Sequence, residues 1–186
     1  LNTSKTEQVC YDFKMGFAQI TGAEKPFLPA VVSKIVKTLT AMTNTKPGEC
    51  FVIVGVAERE ADALAHAAHY GEHAIKYSDF YITGIDQEAA KYHGSLSKLE
   101  QKIVQHIENE PIEAELKSKI KAELVSFSYQ NKQVMQFKLT RGDSPALYDQ
   151  KYFKRTMSHL EEVERKEELN FLKQFERDSQ LAQILP

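Results

Sequence analysis

A chain of 186 residues, 42% hydrophobic and 27% charged, has an ordinary globular composition and the length for one domain plus an appendage. Its formal net charge of −2 excludes a uniformly cationic surface, so any contact with a polyanion must be regional. The absence of any run of about 18 apolar residues excludes a membrane-spanning helix from the sequence.

Along the chain, Val9, Tyr11 and Phe13 alternate with Cys10, Asp12 and Lys14, the period of a strand. Residues 16–29 carry Gly22, Pro26 and Pro29 and are predicted to be loop, with Pro29 suited to a first helical turn. Val31, Val32, Ile35, Val36, Leu39 and Met42 then form an apolar stripe at helical spacing, with Lys34 and Lys37 away from its centre. Residues 44–48 end that helix and turn the chain. Residues 50–54 are a continuous apolar run, the pattern of a strand buried on both faces, with Gly55 and Glu58 at its end. Residues 61–70 are alanine-rich and predicted helical, with Gly71 as the stop. Residues 79–83 suit a short strand.

Residues 95–107 form an amphipathic helix that Ser95 can cap, and Pro111 opens another through Leu116 and Ile120. Residues 124–129 and 134–139 read as a hairpin with a turn somewhat longer than two residues. A second short hairpin is predicted across Asp149-Gln150. Ser158 and Glu161 match a capping box, and a helix without Gly is expected from there to the end of the chain. The elements predict an α+β fold, a mixed sheet packed with several helices over residues 1–157. Residues 158–186 are expected to form a long C-terminal helix that buries its apolar side on the domain, on a second copy or on another segment. The chain opens on Leu1, and the expectation is a piece of a longer protein.

Charge is uneven. Residues 111–157 hold nine Lys/Arg against five Asp/Glu, so a phosphate-facing surface is expected there, joined by lysines of the first helix. Tyr129, Lys132, Phe137, Lys138, Arg141, Tyr152, Lys154 and Arg155 interleave aromatics with cations, a pattern that serves base stacking and phosphate contact, or simply a buried hairpin with solvated lysines. Cys10 and Cys50, each in an apolar run, point to a reducing, cytoplasmic setting. His66, His69 and His73 share a helical face, but Gly71 interrupts it and no His-Glu-x-x-His pattern appears, so solvated histidines are expected rather than zinc. No G-x-x-x-x-G-K-[ST] loop and no G-x-S-x-G elbow occurs.

Four stretches in order carry a resemblance. They are Glu7-x4-Asp12-Phe13-Lys14; residues 37–45, Lys-Thr-Leu-Thr-Ala-Met-Thr-Asn-Thr; residues 51–58, ending Gly55-Val56-Ala57-Glu58; and residues 146–155, Ala-Leu-Tyr-Asp-Gln-Lys-Tyr-Phe-Lys-Arg. Together they resemble the Schlafen AlbA-type domain in its bacterial-like version, over about residues 7–155. The matching patterns there are E-x4-E-F-K, K-T-x-x-A-x-x-N-T, G-V-x-D/E and Y-D-G-x-Y-Y-x-R. The resemblance implies an α+β module that binds DNA or RNA; the charge pattern makes Lys34, Lys37, Lys132, Lys138, Arg141, Lys154 and Arg155 the expected contacts. In some Schlafen proteins it also implies a metal-dependent endoribonuclease. The matching carboxylates are Glu7, Asp12 and Glu58, with Lys14 beside them to neutralise a phosphate and Mg or Mn as the metal. Asp12 stands where Glu is usual, and Thr156-Met157 stands where some relatives have His-Gly or Val-Gly. A third expectation is a protein–protein or homo-oligomer contact through the C-terminal helix.

Overall fold

The structure, a computed structural model, describes residues 10–184. In chain order the elements are β1 (Tyr11–Lys14), α1 (Pro29–Thr45), β2 (Glu49–Val54), β3 (Val56–Ala57), α2 (Glu60–Tyr70), β4 (Ile75–Tyr77), β5 (Phe80–Ile82) and α3 (Asp86–Glu88), which runs into a π-helical turn (Ala89–His93). Then follow α4 (Leu96–Glu108), α5 (Ala114–Ala122), β6 (Val125–Tyr129), β7 (Lys132–Thr140), β8 (Leu147–Tyr148), β9 (Lys151–Thr156), β10 (His159–Glu162) and α6 (Glu168–Ile184). The fold is mixed α+β, with sheets ordered β1-β2-β7-β6, β3-β5-β4 and β10-β9-β8. Among the described residues no helix is long and apolar enough to cross a membrane.

The first sheet is mixed. β1 runs parallel to β2, while β2–β7 and β7–β6 are antiparallel. Cys50, Val52 and Val54 of β2 point into the main core, whereas Phe51 and Ile53 are only half-buried on the other face. The strand therefore alternates, and the expectation of burial on both faces is corrected. Its second face is covered in part by a small cluster of Phe13, Val56, Phe80, Ile82 and Val134, and by Tyr11 stacked on Phe51 at 5.4 Å. On the core face lies α1, opened by Pro29 and burying Val32, Ile35, Val36, Leu39 and Met42. Leu99, Ile103 and Ile107 of α4 close the same core, and Ser95 caps that helix by accepting from the Lys98 N–H at 3.3 Å.

The C-terminal end of α1 is the seat of the third sheet. Asn44 Nδ2 donates to the Ala146 and Phe153 carbonyls at 2.8 and 3.0 Å, and its Oδ1 accepts from the Ala146 N–H at 2.7 Å. Thr45 Oγ1 accepts from the Arg155 N–H at 2.8 Å. These bonds satisfy backbone groups of the β8–β9 hairpin, which would cost about 1–3 kcal/mol each if buried unpaired. Lys37 Nζ lies over the Phe153 ring at 3.8 Å.

Three local expectations change. The β6–β7 hairpin closes on the two-residue turn Gln130-Asn131 with φ of 52° and 60°, tighter than expected, because two left-handed residues match the twist of the strands. α5 begins at Ala114 rather than at Pro111. The capping box at Ser158 and Glu161 starts no helix: the chain turns at Met157 so that His159–Glu162 pairs back on β9. Strand pairing outcompetes a local capping signal there, and α6 begins only at Glu168. Phe171 and Phe175 of α6 are buried, Phe171 at 5.2 Å from the Tyr152 ring, so this part of the helix docks on its own domain.

Two glycines stand where the neighbouring chain leaves little room for a side chain. Gly55 holds φ at +102° where β2 turns into β3, and an added Cβ would crowd Gly84 and Val134. At Gly16 a Cβ would overlap the Glu88 carboxylate. That carboxylate is buried and pins the β1–α1 loop by accepting from the Phe17 N–H at 3.0 and 3.1 Å. Burial pushes the Glu88 pKa up to about 7, against the pull of the Phe17 and Ala18 amides. A raised pKa gives stability that is fully present below the ordinary value of 4.5 and lost as pH rises through about 7. Urea unfolding of the parent and Glu88→Gln at pH 5 and pH 8 checks this. The variant should gain on the parent between the two pH values, and a constant difference would contradict the assignment.

Candidate functional site

Charged groups from four parts of the chain line one cleft of about 350 Å³. β1 supplies Asp12 and Lys14, two residues apart and so on one face of the strand. α1 supplies Lys34 and Thr38, one turn apart. The turn at Gly55 and the short β3 deliver Glu58. β9 supplies Arg155, and the following hairpin adds Ser158 and Leu160.

Asp12 is buried, 5% exposed, and its carboxylate meets two cations. Lys14 Nζ contacts Oδ2, and Arg155 Nη2 lies 3.4 Å from Oδ1. Lys14 Nζ also donates to the Phe13 carbonyl at 2.9 Å. Arg155 is 2% exposed and is tied down further by its Nε, which donates to the Met157 carbonyl at 2.8 Å. Glu58 stands at the exposed rim. Burial against the wall and the negative charge of Asp12 raise its pKa, while Lys14 and Arg155 pull it back. Three cations against two carboxylates leave one positive charge in excess, and the cleft can therefore receive a phosphate or other anion, with exposed Lys34 and half-buried Lys14 as point charges and the buried guanidinium supporting the wall behind them.

The other expected residues lie elsewhere. Glu7 falls outside the described residues. Lys37 is spent on the Phe153 ring and lies 5.6 Å from the Tyr148 centroid. Lys132, expected on a surface, is 4% exposed and pairs with Glu72 at 2.5 Å. Lys138 sits between Glu49 at 2.6 Å and Glu123 at 3.3 Å. Arg141 stacks on the Phe175 ring at 3.5 Å and donates to the Phe175 carbonyl at 2.8 Å. Lys154 is half-buried opposite Glu161 in the β9–β10 register. The interleaved aromatics and cations of residues 129–155 thus serve internal pairing more than an open basic surface. Thr38, Ser158 and Leu160 were not foreseen; only the i,i+4 relation of Thr38 to Lys34 offered a signal.

The histidines do not converge on a site. His66 is buried, and burial first and Lys132 second push its pKa down to about 4. His69 Nε2 hydrogen-bonds the Tyr92 hydroxyl at 2.6 Å, and His73 is exposed. Among the described residues, no group of three or more His, Cys, Asp or Glu side chains is placed to hold a metal. Asp12 and Glu58 are the two described members of the expected carboxylate trio, and Asp12 already faces two cations. They form no closed cage. Mg²⁺ is commonly held by one or two carboxylates plus substrate oxygens, so any ion here would need a phosphate to complete its shell.

No family model matches the chain, and no curated protein matches it. Among solved structures it is similar to the DIP2311 protein from Corynebacterium diphtheriae, at 17% identity and a TM-score of 0.49 over 87% of this chain. The chain spans 23% of the length of that protein.

Removing the buried cation should be costly and removing the exposed one should not. Arg155→Ala is expected to lose about 2–4 kcal/mol in urea unfolding, because it empties a buried volume and leaves Asp12 with Lys14 as its remaining cation. Lys34→Ala, on the rim of the same cleft, should stay within about 0.5 kcal/mol of the parent. A loss below about 1 kcal/mol for Arg155→Ala would contradict its role as the buried tie.

Proposed function

We propose that the chain is a nucleic-acid-binding module of the Schlafen AlbA type, working in the cytoplasm, and that its cleft receives the phosphate backbone. The observation that carries this reading is the gathering of Lys14, Lys34 and Arg155 around one cleft with Asp12 and Glu58. All four resembling stretches contribute to that cleft: the first through Asp12 and Lys14, the second through Thr38, the third through Glu58, the fourth through Arg155. The second stretch is the end of α1 on which the fourth is seated. Phosphate contacts by lysine and arginine would give affinity with little dependence on base sequence.

A second reading, metal-dependent hydrolysis of RNA, has one supporting observation: Glu58 and Asp12 line the same cleft. The two carboxylates would hold Mg or Mn against a bound phosphate, and the ion would supply an activated water. A partner or homo-oligomer contact through the C-terminal helix has less support, because Phe171 and Phe175 are buried on this chain's own surface.

Binding of a single-stranded oligonucleotide, measured by fluorescence anisotropy across a salt series, tests the first reading. Lys14→Ala and Lys34→Ala should each weaken binding and flatten the log–log salt dependence by about 0.7. Lys138→Ala should leave the slope unchanged, and the opposite pattern would move the surface to β7. For the second reading, cleavage in Mg or Mn should vanish in the Asp12→Asn, Glu58→Gln double variant; cleavage that survives it removes hydrolysis at this cleft.

A further inference from the structure

Met157 is placed against two preferences at once. It is 74% exposed, more than any other large apolar side chain among the described residues. It also holds φ at +55°, a left-handed conformation that favours glycine and small polar residues. The hairpin turns at Gln130-Asn131 and Asp149-Gln150 adopt positive φ with polar side chains, as turn chemistry prefers. Met157 has neither a polar side chain to bond its own turn nor a core to enter.

What holds this position is the cleft itself. The Met157 carbonyl accepts from Nε of the buried Arg155 at 2.8 Å. Arg155 on one side, and Ser158 and Leu160 on the other, line the cleft. The tip of the β9–β10 hairpin is thereby tied to the wall of the cleft, and next to the cleft-lining Ser158 it presents an unbranched thioether to solvent. Strained, exposed apolar residues that the surroundings fix in place are a mark of contact sites.

We infer that Met157 is the base-contacting tip of this site: with a phosphate of the strand in the cleft, its thioether packs on the face of a neighbouring unpaired base. The inference rests on the phosphate-binding reading and adds the class of ligand, a single strand or an unpaired loop. Sulfur packs favourably on aromatic rings, and every base has such a face, so the contact is tolerant of sequence. In a closed duplex those faces are stacked on one another, and reaching them would require opening a base step.

Met157→Gly suits the backbone conformation, so the variant should fold and melt no lower than the parent. Its affinity is compared with the parent's for a single strand of about eight nucleotides and for an abasic strand of the same length. The variant should lose about 3- to 10-fold on the base-bearing strand and nothing on the abasic one. Equal affinity of parent and variant for the base-bearing strand, with the abasic strand still bound, overturns the role of Met157 and leaves phosphate binding standing. An equal loss on both strands also overturns it, since the side chain would then act on the cleft and not on a base. Failure of the parent to bind either strand at low salt overturns the phosphate-binding reading and this inference with it.

Discussion

The contact between Arg155 and Asp12 is the constraint on which the rest of the cleft depends. A guanidinium and a carboxylate, each almost shut off from water, cannot remain charged there without partners. Arg155 meets that demand by bonding to three parts of the fold. Its backbone N–H is held by Thr45 at the end of α1, its Nε by the Met157 carbonyl, and its Nη2 faces Asp12 on β1. Together with the bonds of Asn44 to Ala146 and Phe153, Arg155 ties the small β10-β9-β8 sheet to α1 and to the edge of the main sheet. The gap left between them is the cleft, where Lys14 contacts the Asp12 carboxylate and Glu58 has its pKa raised by burial first and by the charge of Asp12 second.

α1 is the spine of this arrangement. Its apolar stripe fills the main core, while its other positions do different work along its length. Lys34 opens toward the cleft, Lys37 lies on the Phe153 and Tyr148 rings, and Asn44 and Thr45 hold the backbone of the returning hairpin. Conspicuous polar residues along one helix thus divide into one group tied into the fold and another, Lys34, that stays exposed at the cleft. Burial and partner geometry separate the two groups; residue type does not.

Much of this architecture was legible in the sequence. The two-residue period of β1, Pro29 at the start of α1, the Ser95 cap and Gly71 at the end of α2 are local signals, and the structure keeps each of them. Asp12, Lys14 and Glu58 were singled out from ordered motifs, and they line one cleft with Lys34 and Arg155. The misses were long-range. Lys132 reads as a surface cation because its partner, Glu72, is sixty residues away in the chain. Residues 158–162 read as a helix start because a capping box is local, whereas pairing with β9 becomes visible only once the Met157 turn is in place. The excess of cations in residues 111–157 is real as arithmetic, but Lys132, Lys138 and Arg141 spend it inside the fold.

The central claim is that the chain's polyanion surface is the cleft between β1, α1 and β9, not the hairpin of β6 and β7. Backbone amide shifts of the ¹⁵N-labelled protein, followed while a short single-stranded oligonucleotide is titrated in at low salt, test it most directly. The account predicts perturbations concentrated at residues 12–14, 34–38, 58 and 155–160. A response centred on residues 130–141, with the cleft silent, would contradict it.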